Sequence, residues 1–391
     1  MTQKITRRDF LKTLGIGIAG SVTAGRLLAG VRFPEGSRGA KLFVGTYTNG
    51  RSEGIYRCSF DAGTGNLSVE SVTTDVANPS FLALDRNRCR LFCVNEIAGI
   101  GGTPGGTVSA FVLDPETGEL RLLNSSSTHG ADPCYVTIDS AGRYVLAANY
   151  SGGSIAVLPV RDDGSLGEAT DVVQHRGSSV KSRQQGPHAH SIVFDPAGRY
   201  AYAADLGLDR VMIYRFDDRQ GKLLPSTPGW APLKPGAGPR HIAFSSDGSA
   251  VYVVNELDST LTAFSVERTT GALEELQTLP TIPSTFAGEN FPADIHIAPS
   301  GRFIYASNRG HDSIAVFAVE AVTGKLSPVQ HEPTGGKWPR NFTIDPTGKY
   351  LLVANQRSET ITVFDVHPES GTLALNGHTA EIPSPVCLRF L

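Results

Sequence analysis

Seven Gly-x-Leu turns recurring about every 50 residues, seven unit-opening prolines, and an incomplete unit at each end of the repeat array together predict an all-β fold. That fold is a seven-bladed β-propeller, closed by pairing of the C-terminal strand with the first blade. Each observation follows from the chain itself.

The turns are Gly65-Asn66-Leu67, Gly118-Glu119-Leu120, Gly164-Ser165-Leu166, Gly221-Lys222-Leu223, Gly271-Ala272-Leu273, Gly324-Lys325-Leu326 and Gly371-Thr372-Leu373, each expected to begin the outermost strand of a unit. The unit openers are Pro79, Pro133, Pro187, Pro239, Pro292, Pro339 and Pro385. A short strand follows each opener and ends in a tight turn, as in Asp195-Pro196-Ala197-Gly198 and Asp345-Pro346-Thr347-Gly348. There proline presets φ and glycine accepts a positive one. An alternating run then ends in Asn or Asp, as in Tyr350-Leu351-Leu352-Val353-Ala354-Asn355, and a third strand such as Ser313–Val319 comes next. Lys41–Thr46 lacks a first strand before it, whereas Pro385–Phe390 is a first strand with nothing after it, so the late strand completes the first unit. A ring left open would expose strand edges.

Composition agrees. With 43 Gly and 24 Pro in 391 residues, the chain favours many short strands over long helices. Residues 1–39 are read as a signal segment and linker, and 40–391 as the propeller domain. Thr6-Arg7-Arg8-Asp9-Phe10-Leu11-Lys12 followed by a Gly-rich, mildly apolar stretch fits a twin-arginine signal. It implies export of a folded protein to the periplasm or outside the cell, with no integral membrane segment once the signal is removed. Residues 1–30 hold five basic residues and one acid, +4 of the total −3, which leaves −7 on the rest. An acidic body argues against nucleic acid as a partner. Cys58, Cys89, Cys93, Cys134 and Cys387 are odd in number and scattered, so free thiols are expected rather than disulfides or a zinc site.

In each unit the start of the first strand and the end of the second meet at one face. Reflection about the turn glycine pairs Arg240 with Glu256, Ala293 with Arg309 and Arg340 with Gln356, and His190 with Asp205 in the same way. A polar collar results. Asn95, Glu96, Asn149, Tyr150, His188, His190 and Asp205 come first, then Arg240, His241, Asn255 and Glu256, then Asp294, His296, Asn308 and Arg309, and last Arg340, Asn355 and Gln356. Asn and Asp also simply end strands; Arg and His at strand starts need another reason. The loop 175–185, with Arg176, Lys181 and Arg183, is either a basic lip that attracts anions or an ordinary loop.

Gly238-Pro239-Arg240-His241 with Val253-Val254-Asn255-Glu256, Ala293-Asp294-Ile295-His296 with Ser307-Asn308-Arg309, and Pro339-Arg340 resemble the propeller-type 6-phosphogluconolactonases, relatives of the fungal carboxymuconate-lactonising enzymes. The resemblance runs from about residue 40 to the end. It implies a seven-bladed propeller that opens or forms a lactone ring without metal. It also makes Arg240, Glu256, Arg309 and a histidine of Pro187-His188-Ala189-His190-Ser191 the functional set; His190 matches by register, and His188 stays open.

Lactone hydrolysis needs a proton acceptor, cations for the oxyanion, and groups for the remaining oxygens. His190 is the expected proton carrier, since a Glu256 flanked by arginines is a weak base. Arg240 and Arg309 would hold the oxyanion. His188, Asn149, His241, Asp294, His296, Arg340, Asn355 and Gln356 would bind substrate. Arginine charge at this mouth would repel a cation, so neither metal nor cofactor is expected. The partner is a small-molecule lactone, acted on by a monomer. A non-enzymatic binding propeller of the cell envelope and a carboxymuconate-type cycloisomerase are the alternatives.

Overall fold

The structure, a computed structural model, describes residues 39–100 and 103–391. The twin-arginine motif and the rest of 1–38 lie outside the described residues. Seven four-stranded antiparallel sheets follow one another around a ring. Blades 2 to 7 each use four strands in chain order. Blade 2 starts at Leu82, blade 3 at Pro133, blade 4 at Ala189, blade 5 at Pro239, blade 6 at Phe291 and blade 7 at Pro339. Blade 1 takes three strands from Ala40–Thr46, Ile55–Phe60 and Leu67–Thr73, and its innermost strand from Pro385–Phe390. Leu42 faces Phe390, Val44 faces Leu388 and Gly45 faces Cys387 in that seam.

The repeat landmarks have physical jobs. Gly271, Gly324 and Gly371 adopt φ of 75°, 71° and 70°, a conformation only glycine takes without strain. Their carbonyls accept hydrogen bonds from Tyr202, Tyr252 and Tyr305 of the preceding blade, at 2.8, 3.0 and 3.0 Å. The three tyrosines have little or no exposed surface, so each hydroxyl needs such a partner. A Cβ at Gly371 would lie 2.4 Å from the Phe303 ring. Turn and tyrosine together therefore lock blade to blade, while aliphatic and aromatic side chains fill the space between sheets.

Two details depart from the sequence expectation. In blade 3 the Gly164 turn leads only to an isolated bridge between Val160 and Leu166, and the outer strand is the short Asp171–Gln174. The reflection rule is also off in register. Near the turn Phe244 faces Val251, but further out Pro239, not Arg240, faces Asn255. One extra residue, Arg240, bulges from the inner strand between Pro239 and His241. The same irregularity leaves Cys134, His190 and Arg340 unpaired in blades 3, 4 and 7, and it spans Ala293 and Asp294 in blade 6. Asp205 thus faces Ala189, Arg309 faces Phe291 and Asn355 faces Pro339.

All five cysteines are free, and all but Cys89 are buried.

Candidate active site

The bulges place the site. A bulged residue leaves the ladder and re-aims its side chain. Cys134, His190 and Arg340 thereby reach the wall of one cavity at the channel mouth. Between them come residues at the exit of the second strand of each blade: Glu96, Tyr150, Glu256 and Arg309. Arg183, from the 175–185 loop, completes the wall. The cavity holds about 210 Å³. That is below the ~300–1,000 Å³ of drug-sized sites, so it suits one small ring.

Glu256 is the hub. Its carboxylate lies 2.7 Å from Arg309 Nη2, 2.8 Å from Arg183 Nη2 and 3.1 Å from Arg240 Nε. The Arg240 contact is an ion pair without hydrogen-bond alignment, since that Nε has no aligned acceptor. Burial alone would raise the Glu256 pKa, but the three guanidiniums outweigh it and hold the carboxyl at about 2. Arg309 also donates to the carbonyls of Phe291 and Pro292. A second carboxylate, Glu96, accepts from Tyr47 and Ser80 hydroxyls, and Tyr47 in turn accepts from Arg340 Nη2 at 2.8 Å.

His190 is buried, with Cys134 Sγ 3.6 Å from its Nδ1 and the Tyr150 ring edge-on at 5.3 Å. Burial first, and the Arg240 and His241 charges next, hold its pKa well below 6.5, so the imidazole is neutral. Burial likewise pushes the Cys134 thiol up, out of nucleophile range. The side chains of Glu96, Glu256, Arg183, Arg240, Arg309 and Arg340 carry two negative and four positive charges, an excess of two positive ones.

The remaining sequence candidates divide. Arg240 belongs to the site but not to the cavity wall. It lies behind Glu256, donating to the Ala293 carbonyl and standing 3.1 Å from His241 Nε2. His241 and Asp294 form a buried pair behind it, Nδ1 to Oδ1 at 2.7 Å, and Asp294 also binds Asn341. These two hold Arg240 rather than line the cavity. His188 donates from Nδ1 to the Tyr150 carbonyl at 2.9 Å and stacks on its ring, so it props a wall residue. Asn149 and Asn355 are clasps inside the blades. Their Nδ2 groups bind Ser154 Oγ at 3.0 Å and Thr362 Oγ1 at 3.1 Å on the neighbouring strand. Gln356 is outside the cavity wall. His296 faces the other end of the channel.

Tyr47 and Cys134 were not among the expected site residues, and Glu96 and Arg183 were expected at this face without a part in the chemistry. The repeat could have supplied three of them. Glu96 and Tyr47 stand where Glu256 does, just after the second strand, and Cys134 follows Pro133 as Arg240 follows Pro239. Arg183 has no repeat equivalent. Its loop is pinned by Asp209, which accepts from Ser179 Oγ, Gln184 Nε2 and the Gly236 and Gly238 amides.

Comparison with known proteins agrees with this architecture. A family model described as a lactonase with a seven-bladed β-propeller matches residues 41–390. A 6-phosphogluconolactonase of Bacillus subtilis is 38% identical, over 89% of this chain and 97% of its own length. A 6-phosphogluconolactonase of Formosa agariphila is 34% identical over 76% of this chain and 84% of its own. The structure of a periplasmic gluconolactonase of Pseudomonas aeruginosa superposes with a TM-score of 0.85 at 38% identity, covering 90% of this chain and 99% of that one.

Proposed function

The chain belongs to the seven-bladed β-propeller lactonases, and from that premise we propose that it hydrolyses a sugar lactone at the mouth lined by His190, Glu256 and Arg309. The observation that carries this reading is the meeting of a neutral imidazole and guanidiniums on one small cavity. Water attacks the ring carbonyl and gives its proton to His190, with Nε2 as acceptor while Nδ1–H points at the Cys134 sulfur. An imidazolium is costly when buried beside Arg240; the anionic tetrahedral centre formed at the same moment offsets that cost. Arg309 and Arg340 take the oxyanion and ring oxygens. Glu256 stays ionised and fixes the Arg183 and Arg309 side chains, with Arg240 behind it. Proton return to the ring oxygen as the C–O bond breaks yields the open hydroxy acid.

The two-charge excess favours a lactone that carries a carboxylate or phosphate. Residues 1–39 would direct the folded protein through the twin-arginine route, in keeping with the periplasmic gluconolactonase among its structural relatives. In that compartment the protein acts on a small molecule as a monomer. The test is turnover of phosphorylated and plain aldonolactones against the spontaneous rate, in wild type and His190→Gln. Rate enhancement lost in the variant supports the proposal. Binding without turnover would favour a binding propeller, and ring closure of a diacid a cycloisomerase.

A further inference from the structure

The channel does not run through. Phe81, Tyr135 and His241 pack across it, with ring centroids 4.1 Å apart for the first two and 5.6 and 5.2 Å from His241. Beyond this plug, at the far ends of the inner strands, lies a second cavity of about 590 Å³. Its wall carries two guanidiniums, Arg86 and Arg389. Arg86 Nη2 donates to the Phe390 carbonyl at 2.8 Å; Arg389 donates to Leu82 and Leu388 carbonyls and lies over the Phe81 ring. All these partners are uncharged. Among the described residues neither arginine makes an ion pair with a carboxylate. Asp345 is on the wall, but it is fully buried and its oxygens accept from Thr347 and from the Tyr350 amide in its own turn. The hydroxyls of Thr137 and Thr343 on the same wall make no hydrogen bond to described residues.

We propose that this opposite mouth is a second binding site, for a small oxyanion held by Arg86 and Arg389. Two guanidiniums drawn to one hollow repel each other, and the mainchain contacts fix them without neutralising either. Each keeps N–H groups free of described partners: Nη2 of Arg389, and Nε and Nη1 of Arg86. A phosphate or carboxylate is the ligand that matches forked donors of this kind, and the two threonine hydroxyls serve its other oxygens. The plug separates this hollow from the candidate active site, so occupancy there is an event distinct from substrate binding.

Calorimetric titration of the purified protein with inorganic phosphate, and in a parallel arm with malonate, tests this. Two equivalents are expected in at least one arm, one at each mouth. Arg86→Glu, at an exposed position, should weaken one of the two by more than fivefold and leave lactone turnover unchanged. The arm that shows the second equivalent tells a phosphate ligand from a carboxylate one. No binding in either arm, or a single equivalent that Arg86→Glu shifts by less than fivefold, would overturn the proposal. So would a second equivalent whose affinity shifts by less than fivefold in Arg86→Glu; Arg389→Gln, read the same way, provides an independent check.

Discussion

The Tyr47 hydroxyl joins Glu96 to Arg340. It donates to the carboxylate oxygens at 2.9 Å and accepts from Arg340 Nη2 at 2.8 Å. Three blades, the first, second and seventh, meet in that contact, beside the seam where the ring closes. Burial, first among the causes, pushes the Tyr47 pKa up, so it remains a neutral phenol able to do both. Tyr47→Phe removes both bonds and leaves Arg340 free to swing. A loss of about tenfold in kcat/KM is expected, with about 1–2 kcal/mol of stability. Steady-state kinetics and urea unfolding check it; unchanged kinetics would place Arg340 outside the reaction.

Replacing the hub should be costlier. Glu256→Gln strips the negative charge from among Arg183, Arg240 and Arg309. Breaking buried pairs in this way costs about 3–5 kcal/mol, and kcat/KM should fall at least about 100-fold. The stability penalty depends on pH with a fixed sign. The folded value of about 2 lies below the ordinary 4.5, so the carboxylate stabilises the fold fully above pH 4.5. That contribution drains away as pH falls from 4.5 towards 2. The gap between wild type and Glu256→Gln should therefore narrow between pH 6 and pH 3. A gap that stays constant would contradict the ion-pair account.

His190 makes the opposite kind of prediction. Its pKa is held well below 6.5, so the base is already unprotonated throughout the neutral range. The pH profile of kcat/KM should lack an inflection near 6.5. His190→Gln should reduce kcat by roughly 10²–10⁴ and leave unfolding transitions close to wild type. An acid limb centred at 6.5 in wild type would assign the proton transfer elsewhere.

Arg183 stands in the short 3-10 turn Ser182–Gln184 of the 175–185 loop, with its side chain 45% exposed. Arg183→Ala should raise KM about tenfold with little change in kcat, and alter stability by about 0.5 kcal/mol or less. A fall in kcat at constant KM would move this arginine from substrate capture to the chemical step.

Much of this was legible in the sequence because a repeat states each rule seven times. Blade number, ring closure and the meeting of strand starts with strand exits all follow from recurring Pro, Asn and Gly. The register did not follow, because a bulge costs one residue and leaves no mark in a period-two pattern. Arg240 and Glu256 come together as an ion pair, yet they are not ladder partners. Asn149 and Asn355 looked like site residues because a polar side chain at a channel mouth and a clasp between strands use the same residue. Whether such a group faces the hollow or the neighbouring strand depends on its rotamer, which the alphabet does not encode. Arg183 was ambiguous for a simpler reason: a unique loop has no sibling for comparison.

The seam has a consequence for biosynthesis. The sheet that begins with Ala40–Thr46 acquires its innermost member only from Pro385–Phe390. A nascent chain must carry those early strands unsatisfied while almost all later blades are made, and contacts so distant in sequence form slowly. A product that stops short would keep a bare ladder edge able to recruit other chains. Closure of the circle thus waits for the last of its strands to be made, and a folded circle certifies that the message was read at least through Phe390.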